Sequence, residues 1–451
     1  MLLRTNSFFL TRRCFSKEYP CRITPGEYKA RRSKLLVAAR EQLKNNDKDF
    51  VILSKGASTS FLAPDVPHTF RQLSHFRYIT GIDNVPGCSY LFYSSSTGQS
   101  RRILFMDKRT EYEELWEGSL PSCEELEKMA NFDEVLPTKE ISTILQKMIT
   151  NQTVLFAEAN QWSTSQTSSC FSKASTLRAL NPLIEKLRII KSPDEILAME
   201  DVCKLGCQMM ASMIANSKNV ESERTLVGLL EYESRRRGAE RLAYPPVVAG
   251  GLRANTIHYL AANSIIKENE CILVDAGCDL NGYVSDITRC FPQSGHWTDP
   301  QRSLYEALRY VHENLLQFSH EAENIRLSTI YHKMNELLAS VLTEVGLIPT
   351  GVGNKEAIKF AEELCPHHVS HYLGMDVHDC ASVSRDIPLQ DGCIFTIEPG
   401  IYVPRDARYP EEYQGIGFRI EDDILKTKNG IRVLTDSLPR LGQDIENLMA
   451  N

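Results

Sequence analysis

Four of the eleven histidines in this chain of 451 residues fall within HHVSHYLGMDVHD, residues 367–379. On a helix, His367 and His371 would lie one turn apart on one face and could share a zinc ion. A helical zinc site of the H-E-x-x-H kind needs a glutamate directly after the first histidine, where this chain has His368, so the zinc helix fits poorly. Acids that could complete a site lie further off. ILVDAGCDLNGYVSDITRCF (272–291) reads as strand, turn and strand, with Asn281-Gly282 supplying the positive φ angles of a two-residue hairpin. In that register Asp286 faces Gly277, which leaves room beside it. Asp275 stands one pleat along on the same sheet face, roughly 7–8 Å away at the backbone. Such a pair either faces solvent or holds a cation, because like charges on a buried face repel unless compensated. The apolar strands around them favour metal. IFTIEPGIYVP (394–404) ends an apolar run on Glu398, and GFRIEDDIL (417–425) sets Glu421 on the same face as Arg419. Two aspartates, two glutamates and one histidine make an oxygen-rich donor set, the chemistry of manganese, iron, cobalt or zinc used in pairs.

The elements that must position these residues are legible in outline. ITPGEYKARRSKLLVAAREQL (23–43) has the period of a helix, and DFVILSKG (49–56) that of a buried strand. SYLFYSSSTG and RRILFMD read as two strands around a Ser/Gly turn, and NQTVLFAEA as another. A mixed α/β domain is therefore expected to about residue 160. Residues 161–180, rich in Ser and Thr without clear periodicity, read as a linker or surface excursion. A second unit then opens, with Ser192-Pro193 and following acids starting a long amphipathic helix. The expected division is 1–15, 16–180 and 181–451. G-V-G at 351–353 lacks the third glycine and the preceding strand of a dinucleotide fingerprint.

Bulk properties exclude several classes. Hydrophobic residues make up 42% and charged residues 24%, and no apolar run approaches the ~18 residues of a membrane span. A net charge of −7, with no basic stripe beyond the first seventeen residues, argues against a nucleic-acid partner. Thirteen cysteines without a C-x-x-C pair fit reduced, mostly buried thiols. MLLRTNSFFLTRRCFSKEY carries Arg4, Arg12, Arg13 and Lys17 and no acid before Glu18, the composition of an organellar presequence.

Taken together, VDAGCDLNGYVSDITRCFP, HHVSHYLGMDVHD, IEPGIY, GFRIEDD and YPPVVAGGLRANTIHY (244–259) resemble the successive motifs of the aminopeptidase P family. LRIIKSPDEI, FRQLSHFRYITG (70–81) and ELWEG (114–118) add to the likeness, which is strongest toward the family's mitochondrial, intermediate-cleaving members. The resemblance implies an α/β (α+β) chain: a creatinase-like mixed α/β N-terminal domain followed by a pita-bread catalytic domain. It implies that Asp275, Asp286, His371, Glu398 and Glu421 hold two divalent metal ions, chiefly manganese, with Asp286 and Glu421 bridging. His258 and His378 fall on positions that contact substrate around the scissile bond, His367 on a pocket-lining position, and Arg419 and Tyr402 on supporting polar ones. Glu398 is the expected proton shuttle. Cys290 replaces a threonine of the family pattern, and Leu73 and His75 replace acidic or amide residues.

The activity implied is release of the N-terminal residue from peptides, preferably before proline. The alternatives are a prolidase restricted to dipeptides and a non-catalytic binding module, which would be expected to have lost ligands. Arg13-Cys14-Phe15-Ser16 resembles a matrix processing site, which extends the expected substrates to imported protein N-termini. A mitochondrial location and a homodimer complete the expectation.

Overall fold

The computed structural model describes residues 19–43, 48–162, 165–218 and 220–450. The expected presequence, 1–15, lies outside the described residues. The described residues divide into two compact units, one of 23–188 and the other of 19–22 together with 189–450.

In the first unit, helix Pro25–Glu41 begins where Thr24 accepts a hydrogen bond from the Glu27 amide and proline takes the first turn. Its sheet has six strands, in the spatial order Glu134–Leu136, Ser100–Phe105, Ser89–Ser94, Phe50–Lys55, Val154–Phe156, Thr176–Arg178. The middle pairs are antiparallel and the outer strands add in parallel. Two-residue alternation turns Val51, Leu53, Leu91, Ile103, Phe105 and Leu155 to one face, where Ile144 and Leu145 of helix Ile141–Met148 cover them. The linker expected over 161–180 is corrected here. Trp162 and Cys170 belong to that same core, and Thr176–Arg178 is the edge strand beside Val154–Phe156. Its residues are exposed or half-buried, so an edge strand arose without the apolar alternation that would have announced it.

In the second unit, the sequence of two long helices followed by antiparallel strands occurs twice. Helices Pro193–Ala215 and Glu223–Arg236 precede strands Val247–Gly250, Cys271–Ala276 and Ile287–Pro292. Helices Asp299–Glu321 and Leu327–Glu344 precede strands Ile394–Ile397, Asp422–Thr427 and Gly430–Val433. Ser192 and Glu195 cap the first of these helices reciprocally, with Pro193 at its start.

Asn281 and Gly282 take φ of 53° and 84°, the two positive angles the hairpin requires. Asp275 pairs with Thr288 and Leu280 with Tyr283, which is the expected register. Between these pairs the ribbon leaves one sheet for another: Cys278–Leu280 joins Tyr283–Val284 and Arg241–Leu242. The room expected beside Asp286 is absent. A Cβ at Gly277 would overlap the Ser285 carbonyl, so glycine is needed there for backbone approach rather than for space around the carboxylate.

The two sheets meet where the Glu421 amide donates to the Thr288 carbonyl at 3.1 Å and the Asp286 amide to Asp423 Oδ2 at 3.1 Å. Among the described cysteines none forms a disulfide, and only Cys21 and Cys123 are not buried. No helix of the described residues is long and apolar enough to cross a membrane.

Candidate metal centre

That meeting of sheets brings acids from distant strands onto one imidazole. Asp286, His371 and Glu421 each present a ligand atom, and the three atoms lie within 4.8 Å of one another. His371 Nε2 is 3.4 Å from Asp286 Oδ2, 3.5 Å from Glu398 Oε1 and 3.9 Å from Glu421 Oε1. The segment 365–370 leading to His371 is not helical, so the spacing of His367 and His371 does not make a shared face. Instead the His371 amide donates to Thr396 Oγ1, and the Thr396 amide to the His371 carbonyl, beside strand Ile394–Ile397.

His371 Nδ1 lies 3.1 Å from the Tyr372 carbonyl, which can only accept. Nδ1 therefore carries a proton, and Nε2 is left to meet the acids, as a protonated donor in the cation-free cluster or as a lone pair toward a metal. Burial opposes a charged ring, yet the Asp286 hydrogen bond and the Glu398 charge raise its pKa to about 9. Burial pushes the Glu398 carboxyl up to about 7. Glu421 is raised well above the carboxylate range, by burial and then by Asp286, and Asp286 itself by burial and then by Asp275.

One atom tests whether a cation fits. Glu421 is 1% exposed, and its Oε1 has no hydrogen-bond partner, while Oε2 accepts from Thr288 Oγ1 at 2.7 Å. A buried carboxylate oxygen without a donor, facing further carboxylates, is costly unless a positive ion meets it. The residues present fit a divalent metal.

Asp275 is held differently. Arg419, 2% exposed, reaches it at 2.6 Å and also donates to Thr288 Oγ1 at 3.1 Å and to Tyr402 Oη at 2.7 Å. Tyr402 Oη in turn stands 2.9 Å from His367 Nε2, while His367 Nδ1 is 3.0 Å from the His368 carbonyl. Arg419, Tyr402 and His367 thus form one relay along the wall of the site. Burial lowers the His367 pKa to about 4, so that ring is neutral near pH 7.

Three neighbours carry no signal in the motif reading as site residues. Tyr244 Oη donates to Asp275 Oδ1 at 2.5 Å and also touches Asp286. Burial and both aspartates raise its pKa well above the ordinary tyrosine value, so the hydroxyl keeps its proton. Thr288 ties Glu421 to Arg419, and Asp423 receives the Asp286 amide. Each lies within a quoted motif, Tyr244 at the head of YPPVVAGG, Thr288 in VSDITRCF and Asp423 at the end of GFRIEDD, but the motif marks none of them as a site residue.

Every one of these residues falls within 198–428, the stretch that matches the metallopeptidase family M24. The chain belongs to metallopeptidase family M24. Residues 28–156 match the aminopeptidase P N-terminal domain. Xaa-Pro aminopeptidase 3 of Mus musculus is 36% identical over 450 residues, spanning 95% of this chain and 87% of that one. Intermediate cleaving peptidase 55, mitochondrial, of Arabidopsis thaliana is 34% identical over 437 residues, spanning 95% and 84%. Among solved structures, zinc-substituted E. coli aminopeptidase P in complex with product superimposes with a TM-score of 0.86 at 27% identity, covering 95% of this chain and 98% of that one. The catalytic unit of this metallopeptidase accordingly has the pita-bread fold, behind a mixed α/β N-terminal domain.

Three further histidines of this M24 chain belong to the motifs quoted above. His378 is exposed, with its ring 4.7 Å from that of His371 and nearly perpendicular to it. His258 is exposed on a turn, and burial followed by the neighbouring His371 lowers the pKa of His378. His368 stacks on Tyr331 at 4.9 Å and accepts from the Ser370 amide, a structural part rather than a chemical one.

Proposed function

We propose that this metallopeptidase is an aminopeptidase that releases single N-terminal residues, preferentially those followed by proline. The observation that carries the reading is the cluster of carboxylates around His371 with the unpaired Glu421 Oε1 at its centre. Asp275, Asp286, His371, Glu398 and Glu421 would hold two divalent ions. The oxygen-rich donors favour manganese. Such ions would activate a water molecule near neutral pH and polarise the scissile carbonyl.

The chain's own residues do the rest. Glu398 takes the proton from water on its carboxylate and passes it to the leaving amine, a role suited to a carboxylate standing 3.5 Å from His371 Nε2 within the cluster. His378 and His258, both exposed, donate hydrogen bonds to the substrate amide and the developing oxyanion. Arg419 fixes the orientation of Asp275 and, through Tyr402, of His367, which lines the substrate pocket.

The composition of residues 1–15 and the likeness to a plant relative named as mitochondrial support a mitochondrial location and a removable presequence. Substrates then include imported proteins whose new N-terminus needs one further residue removed. A homodimer is the assembly that the family resemblance implies. Kinetics on an Xaa-Pro-Yaa tripeptide test the activity: release of Xaa is expected, and cleavage of an Xaa-Pro dipeptide with the tripeptide left intact would overturn the reading in favour of a prolidase.

A further inference from the structure

The segment from Gly251 to Ser264 carries His258 and has little to hold it in place. After the 3-10 turn Gly251–Asn255 it runs to Ser264 without helix or strand, and His258 and Leu260 are exposed. Its apolar burial amounts to Ala254 and Ala262. A loop so poor in packing would be mobile unless polar contacts fixed it.

The Asn255 side chain donates to the Val403 carbonyl at 2.6 Å, and the contacts on both sides of His258 converge on one side chain. Glu223, 0% exposed at the start of helix Glu223–Arg236, accepts four hydrogen bonds that span the whole segment. Its Oε1 receives the Gly250 amide at 3.0 Å and Arg253 Nε at 2.6 Å. Its Oε2 receives Tyr259 Oη at 3.0 Å and the Ser264 amide at 2.9 Å. The donors lie just before the segment, within its first turn, next to His258 and at its end. Backbone bonds of Glu223 to Ser264 and of Ile266 to Glu221 fasten the exit to the same helix start. Arg253 also reaches Glu270 at 3.0 Å, so the clamp extends to the loop before strand Cys271–Ala276, the strand of Asp275.

Burying a carboxylate this completely is costly, and a stability role alone would be met as well by apolar packing. Three donors from one sparsely packed segment and a fourth just before it give instead a fixed loop whose tip stays open to solvent. We infer that Glu223 is a positioning residue for substrate: it sets the place of His258 at the metal centre by clamping the segment on both sides of it. The inference rests on the proposed part of His258 as a substrate contact. Glu223 itself touches neither substrate nor metal.

A double-mutant cycle tests this. Glu223→Gln keeps the volume but turns one acceptor oxygen into a donor facing donors. Tyr259→Phe removes only the contact adjoining His258 and spares the fold should the glutamine variant fail. Each is made alone and with His258→Ala, and kcat, KM, bound metal and thermal midpoint are measured with the tripeptide substrate. Each single variant is expected to lower kcat/KM by about ten- to a hundredfold through misplacement, with metal content unchanged. Added to His258→Ala, neither should cost more, because the residue they position is gone. An equal further loss in the His258→Ala background, or no loss from either variant alone, overturns the inference. Full activity of His258→Ala itself would instead overturn the part given to His258, a result that cycle separates from the first.

Discussion

The ammonium of Lys191 lies 3.2 Å from the carboxylate of Asp379, and the two side chains are 2% and 1% exposed. Lys191 directly precedes the Ser192 cap of helix Pro193–Ala215, and Asp379 directly follows His378. The Asp379 amide also donates to the Tyr372 carbonyl at 2.9 Å, closing the loop that begins beside His371. One buried ion pair therefore ties the loop of both histidines to the start of the longest helix of its half. Lys191→Met removes the cation from a buried carboxylate, and the expected cost is about 3–5 kcal/mol in denaturant unfolding. A loss below about 1 kcal/mol would mean that the pair is nearly neutral in the fold.

Ligands and substrate contacts should separate cleanly by metal content. Asp286→Ala and Glu421→Ala are expected to lose bound metal and to fall below about one per cent of wild-type turnover while remaining folded. His378→Ala should lose turnover by about a hundredfold yet keep its metal, since it adjoins His371 without meeting the acids. Near-wild-type turnover from either ligand variant would sink the two-ion reading, and metal loss from His378→Ala would reassign the histidines.

The raised carboxyl and imidazole pKa values give the metal-free protein a definite pH dependence. An acid whose folded pKa is raised is most stabilising while protonated. The contribution of Glu398 is therefore present at low pH and lost as pH rises through about 7. A histidine with a raised pKa behaves in the same sense, and that of His371 is lost as pH rises through about 9. Metal takes the deprotonated forms, so the rise in Tm on adding Mn2+ should be larger at about pH 8 than at about pH 5. Thermal scans of metal-stripped protein check this, and an equal rise at both pH values would contradict it.

Local patterns carried the sequence reading where structure is local. Asn281-Gly282 and the alternation around it foretold a register in which Asp275 pairs with Thr288. The four acids were legible from their places in apolar strands and the choice of His371 from motif resemblance, and three of the acids meet His371 within 3.9 Å. Tyr244, Thr288 and Asp423 escaped notice because what they do depends on partners brought up by tertiary packing. Thr288 meets Glu421 across 133 positions of chain, a distance no period of 2 or 3.6 encodes. Strand Thr176–Arg178 escaped for the opposite reason: an exposed sheet edge needs no apolar face, and Ser and Thr composition looked like a linker.

The repeated order of helices and strands in the second unit divides the proposed donors by their time of synthesis. Asp275 and Asp286 belong to the first round of helices and strands, while Glu398 and Glu421 belong to the second and follow His371. A nascent chain that has emerged only as far as strand Ile287–Pro292 has the two aspartates but neither His371 nor the two glutamates. The full set of proposed donors therefore exists only once the chain has been made as far as Glu421, so both rounds of helices and strands must be present before all five can meet.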